Sequence, residues 1–208
     1  MPEALHVALN AFIALLVILD PPGLAVLFLG MTPDDTPVSR RRQARRAVGI
    51  AAVILIAFAL FGGLVLRAMG IGMPAMKVAG GLLLFVLATN MALGNTAPRA
   101  SSEERQAAAH EPDISVFPLA IPLLAGPGAM TTMVLMRQQA GDDPWRLAGV
   151  LVALLAALAV TLATLWAAVP VGRLLGATGG QVVGRVLGVI LAALAAQIAL
   201  DGLRASLF

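Results

Sequence analysis

Apolar residues gather in six long stretches along the chain. Each is close to the roughly 20 residues a helix needs to cross a hydrocarbon core. The first runs from about Ala4 to Met31 and is interrupted at Asp20-Pro21-Pro22-Gly23. The second, Ala47 to Leu66, carries no charge, and the third, about Pro74 to Leu93, carries only Lys77. The fourth, about Ile114 to Met136, contains Pro118, Pro122 and Pro127. The fifth, Leu147 to Val169, is uncharged, and the sixth, about Val182 to Leu203, holds Arg185 near its start and Asp201 near its end. Polar residues separate these stretches. A Pro- and Arg-rich connection covers 32–46, the longest polar stretch covers 95–113, and a third covers 137–146. Short Gly-rich links are expected near 67–73 and 170–181. The pattern predicts an all-α polytopic membrane protein with six transmembrane helices.

Composition agrees. Of 208 residues, 60% are hydrophobic and 12% charged, with a mean hydropathy of +0.93. Soluble domains carry about a quarter charged residues, so much of this surface must face lipid. No cysteine is present, which excludes disulfides, thiolate metal sites and thiol redox chemistry. With two His, both outside the most apolar stretches, no metal cofactor is expected. The N-terminal run lacks a basic n-region and ends in Asp-Pro-Pro-Gly. It therefore reads as a retained membrane segment and not as a cleaved signal.

Basic residues set the expected orientation. Arg40, Arg41, Arg42, Arg45 and Arg46 cluster after the first segment. With the N-terminus outside, the inside loops hold nine basic residues against five outside, as the positive-inside rule prefers. Both termini are then expected outside a cell inner (plasma) membrane. The Arg cluster reads as a topology anchor on anionic lipid, with no nucleic-acid role.

The halves also resemble each other. Phe12, Pro22 and Gly23 match Phe117, Pro127 and Gly128 at an offset of 105, and Lys77 and Gly80 match Arg185 and Gly188 at an offset of 108. Three segments per half make the second half enter from the opposite side, an inverted repeat of the kind found in secondary transporters. The expected organisation is a first three-helix repeat over 1–94, a polar linker over 95–113 and a second, inverted repeat over 114–208. The first helix of each half is expected to be broken.

Those breaks are the most informative feature. Proline removes a backbone donor, and unpaired main-chain groups are costly in lipid unless protein or water satisfies them. The sequences Asp20-Pro21-Pro22-Gly23 and Gly126-Pro127-Gly128 therefore point to a shared polar centre. Broken helices offer amides to an anion and carbonyls to a cation, which suits a zwitterion. Asp20 fits two roles: a cap for the half-helix beginning at Pro21, or a cap that also binds a proton, Na+ or a substrate ammonium. Thr131 and Thr132 follow the second break. Their hydroxyls either face the centre or bond back to helix carbonyls. Asn90 and Gln197 are amides in apolar context, which more often stitch helices together than bind substrate. The glycines of the third and sixth segments serve internal packing or a homo-oligomer equally well.

Several runs carry a family resemblance: Asp20-Pro21-Pro22-Gly23, the run from Gly70 through Pro74 and Lys77 to Gly80-Gly81, and the run from Pro118 through Pro122 to Gly126-Pro127-Gly128. Arg185-Val186-Leu187-Gly188, Gln197 and Asp201-Gly202 complete the set. In this order they resemble the MarC-type integral membrane family, also called the six-segment neutral amino acid transporter family, which is similar to the wider lysine-exporter superfamily. The resemblance spans nearly the whole chain. It implies a carrier of small neutral amino acids such as glycine and alanine. Family members often carry Arg where this chain has Lys77. Some carry Asn where it has Asp20, so a proton role there is no family-wide requirement. The expected function is secondary transport coupled to H+ or Na+, without nucleic-acid partners and without enzymatic activity. No nucleotide-binding glycine loop supports primary transport, and Asp20 lacks an acidic or His partner in an apolar segment for catalysis. An exporter, or a regulatory or scaffold protein, of undefined substrate is the alternative.

Overall fold

A computed structural model describes residues 2–32, 35–93 and 113–207. The described residues form eight helices: α1 (Pro2–Leu19), α2 (Pro21–Met31), α3 (Pro37–Ala68), α4 (Met73–Ala92), α5 (Ser115–Leu124), α6 (Pro127–Ala140), α7 (Pro144–Trp166) and α8 (Ala168–Leu207). The expected linker over 95–113 lies outside the described residues except for Asp113.

Local sequence explains most helix starts. Proline occupies the first turn of α2, α3, α4, α6 and α7, where its missing N–H costs nothing. Thr36 caps α3 by accepting from Ser39 N at 3.2 Å, and Asp143 caps α7 by accepting from Trp145 N at 2.9 Å. α5 is irregular. Phe117 and Ile121, each just before a proline, are extended (ψ 129° and 123°), as that position favours. Its turns are wide, with Leu119 N donating to Ile114 O and Ala125 N to Ala120 O, five residues back.

Among the described residues five stretches are long and apolar enough to span a bilayer, and α5 with α6, bent by 53°, makes a sixth if the pair counts as one span. Neighbouring contacts decide this. Gln43 of α3 meets Ile114 at the start of α5, whereas Gly62 and Gly63 of α3 meet Val134 and Gln138 of α6. The bent pair therefore runs alongside α3 for the full depth of the molecule, as one broken span. α1 lies parallel to α7, with Gly149 against Ala4 and Ala8 and Arg146 paired with Glu3. α4 lies antiparallel to α8, with Gly81 against Ala195 and Ala199 and Gly202 against Pro74 and Lys77. The starts of α1, α4 and α7 and the ends of α3, α6 and α8 thus share one face. The start of α3, with its arginines, marks the opposite, Arg-rich face.

Packing follows helical periodicity. α3 buries Gln43, Ala44, Ala47, Ala51, Leu55 and Ala59 on one stripe and leaves Val53, Phe61 and Leu64 exposed. Such exposed apolar side chains recur on α4 and α8 and form the surface a bilayer would cover.

Two expectations need correction. The arginines between 40 and 46 lie on the first turns of α3 and not in a loop, because Pro37 and Thr36 start the helix there. The Gly-rich stretch 170–181 is helical within α8, and only Ala167 separates α7 from α8. A glycine costs only about 1 kcal/mol relative to alanine inside a helix, so composition alone does not break one. The fourth segment, as expected, is broken: it is two helices joined at Ala125-Gly126.

Candidate functional site

The first break is a single residue. Asp20 adopts a left-handed conformation (φ 42°, ψ 67°) and is 3% exposed. Asp and Asn tolerate this region better than most residues because their short polar side chains bond locally. Asp20 Oδ1 accepts from Gly23 N at 3.2 Å and so caps α2. A Cβ at Gly23 would strike the Asp20 carboxylate, so glycine is what lets that side chain fold back. Backbone bonds resume at once, Asp20 N to Leu16 O at 3.1 Å and Leu24 N to Asp20 O at 2.9 Å. Pro21 and Pro22 cannot donate to the carbonyls four residues earlier.

The second break is deeper. α6 starts at Pro127 after Gly126 (φ −81°, ψ 170°), and no side chain caps it. A Cβ at Gly126 would collide with the Pro122 carbonyl oxygen. Gly128 is buried, as are Thr131 and Thr132. Thr131 packs its methyl against Gly80 of α4. Thr132 is 1% exposed and its hydroxyl has no hydrogen-bond partner. Elsewhere Thr32, Thr89, Thr161 and Thr164 all donate to the carbonyl four residues back, at 2.7–2.9 Å. Thr132 does not, and a buried unsatisfied hydroxyl costs about 1–3 kcal/mol.

The two helix starts lie close in depth. α1 has 18 residues and α6 has 14, both measured from the shared face. At 1.5 Å per residue, Asp20 sits about 27 Å from that face and Pro127 about 21 Å, a difference of roughly 6 Å. α1 packs directly on α6, so their axes stand about 8–10 Å apart. α2 and α6 therefore begin inside the molecule and run toward opposite faces. One start carries a carboxylate cap and the other carries none.

The remaining candidates are less central. Asn90 is half-buried on α4. Gln197 is exposed on α8, where its Nε2 donates to Asp201 Oδ1 at 2.8 Å. Asp201 thus pairs with Gln197 one helical turn before it. Among the described residues no group of three or more His, Asp or Glu gathers.

A buried amide escaped the sequence reading. Gln43, 4% exposed, donates from Nε2 to Asp35 Oδ2 at 2.6 Å and to Ser39 Oγ at 3.1 Å, and its Oε1 accepts from Ile114 N at 3.2 Å. Arg46 pairs with Asp113 at 2.6 Å. Ser115, whose amide donates to Asp113 Oδ1 at 2.9 Å, holds that carboxyl below the ordinary aspartate value against the opposing effect of burial, helped by Arg46. Together these contacts fasten the entrance of α5 to the start of α3. The signal was the period-four series 43, 47, 51, 55 and 59, which puts Gln43 on the buried stripe.

Known proteins are similar to this chain in sequence. The profile described as "MarC family integral membrane protein" matches residues 5–207. A UPF0056 membrane protein of Archaeoglobus fulgidus is 37% identical over 145 residues, 70% of this chain and 68% of the relative. One from Methanocaldococcus jannaschii is 36% identical over 145 residues, 70% of this chain and 71% of the relative. The UPF0056 membrane protein YvbG of Bacillus subtilis is 35% identical over 127 residues, 60% of each chain. No solved structure matches.

Proposed function

Because the chain belongs to the MarC family of integral membrane proteins, we propose that it is a secondary transporter of small neutral amino acids, glycine and alanine among them, driven by H+ or Na+. The supporting observation is the pair of helix starts inside the span region, one capped by buried Asp20 and one uncapped beside the unpartnered Thr132 hydroxyl. A helix N-terminus attracts negative charge. The free start of α6 therefore suits the substrate carboxylate, held by the Gly128 and Ala129 amides with Thr132 as an added partner. Asp20 suits the ammonium group.

Coupling falls to Asp20, which binds the proton or Na+ that accompanies the substrate. The helix packing is consistent with rocking of two related halves. α1 on α7 has its counterpart in α5 on α3, and α2 on α7 and α8 in α6 on α3 and α4. In this reading the two halves are inverted repeats that alternate around the breaks. The protein sits in the plasma membrane with the Arg-rich face toward the cytoplasm.

The test is counterflow of labelled alanine and glycine in proteoliposomes, with and without imposed pH or Na+ gradients. Exchange of both amino acids, accelerated by one gradient, is the expected result. No exchange of any amino acid under either gradient defeats the reading.

A further inference from the structure

A second site lies on the outer side of α3. A groove of about 600 Å3 runs along Arg42, Arg45, Gly49, Ile50, Val53 and Ile54, with Arg46 at its edge. These positions follow the three- and four-residue steps of one helix face. The opposite stripe of α3 is packed into the protein. The groove is basic at one end and apolar at the other. Gly49 forms the notch between the two parts, and a Cβ there would meet nothing within 4 Å.

Arg46 is paired with Asp113. Among the described residues no carboxylate pairs with Arg42 or Arg45, and both are exposed. Two neighbouring guanidiniums form a strong anion site, and guanidinium matches the geometry of phosphate oxygens. From Arg42 to Ile54 is twelve residues, about 18 Å along a helix. One leaflet of hydrocarbon is about 15 Å thick. The basic end therefore stands at headgroup level when Ile50, Val53 and Ile54 lie among acyl chains.

We propose that this groove is a binding site for an anionic phospholipid, with the phosphate on Arg42 and Arg45 and an acyl chain along Ile50, Val53 and Ile54. A soluble phosphate would use the arginines alone. The apolar wall that continues from them is what commits the site to lipid.

Native mass spectrometry of the detergent-purified full chain, incubated with phosphatidylglycerol or phosphatidylcholine, tests this. The expected result is retention of phosphatidylglycerol at least tenfold above phosphatidylcholine. The pair Arg42→Gln with Arg45→Gln should abolish that preference, and Arg41→Gln should leave it intact. Gly49→Leu changes no charge and fills the notch, so it should weaken phosphatidylglycerol retention severalfold. Unchanged thermal midpoints in these variants separate lipid loss from unfolding. Equal retention of the two lipids, a preference that survives the double arginine variant, or no effect of Gly49→Leu would each overturn the site. Displacement of phosphatidylglycerol by millimolar inorganic phosphate would overturn the lipid assignment in favour of a soluble anion.

Discussion

The α4–α8 contact makes the sharpest structural prediction. Gly188→Ala places a Cβ 2.5 Å from Ala92 N, 2.8 Å from Met91 Cβ and 2.9 Å from Ala88 O. Two of these are backbone atoms of α4, so no side-chain rotation relieves them. Ordinary contact begins at 3.4 Å. The helices must therefore part by about 0.9 Å (3.4 minus 2.5), against about 0.7 Å for Gly81→Ala, whose Cβ lies 2.7 Å from Ala199 N. Forced separation of a packed interface costs typically 1–3 kcal/mol. Association of helices in lipid depends on this close packing. Gly49→Ala is the control, since its Cβ meets nothing and helix propensity should gain up to about 1 kcal/mol. Thermal midpoints in detergent should fall for Gly188→Ala, fall somewhat less for Gly81→Ala, and stay level or rise for Gly49→Ala. Equal midpoints for Gly188→Ala and Gly49→Ala would refute the close-approach argument.

Three further outcomes follow from the site. Asp20→Asn keeps both the left-handed conformation and the cap and should leave the thermal midpoint nearly unchanged, whereas Asp20→Ala should cost roughly 2–3 kcal/mol through lost cap and added strain; similar midpoints for both would remove Asp20 as a cap. Thr132→Val deletes an unsatisfied hydroxyl, so stability should hold or rise by about 1 kcal/mol while alanine affinity falls roughly five- to tenfold; an unaltered affinity would take Thr132 out of the site. The Asp113 carboxyl is held below its ordinary value of 3.8, so its stabilisation is complete above that pH and lost as pH falls through the lower folded value. The midpoint difference between wild type and Asp113→Asn should accordingly persist through neutral and mildly acidic pH and vanish only in strong acid, and a difference already gone by about pH 6 would contradict the clasp.

Much of this architecture was legible in sequence, for physical reasons. Uncharged runs such as 147–169 have no stable place except lipid, and a proline pair after Asp20 has few readings besides a restarted helix. Conformation beyond hydropathy was hidden. The uncharged 47–66 run gave no hint that its helix begins at Pro37, because the arginines between them read as loop when they project from a helix leaving the bilayer. Gly172, Gly176, Gly179 and Gly180 read as a link, yet the backbone there stays helical. The extended residues Phe117 and Ile121 follow from the prolines after them, and the break follows from Gly126-Pro127, but the 53° angle of the bend is not written in the apolar pattern. At the site, Asp20 as a cap could be inferred from Asp-Pro-Pro-Gly alone. That Thr132, unlike four other threonines, leaves its hydroxyl unpartnered required coordinates.

Thr132→Cys tests the substrate centre most directly, since the chain contains no cysteine of its own. The single thiol is labelled with a membrane-impermeant maleimide added to either side of proteoliposomes, with and without alanine. Slow labelling from both sides, suppressed by alanine and glycine but not by a bulky acidic amino acid, is the predicted result. A thiol that never reacts from one of the two sides, or reacts at a rate no small neutral amino acid changes, would contradict a shared site between the breaks.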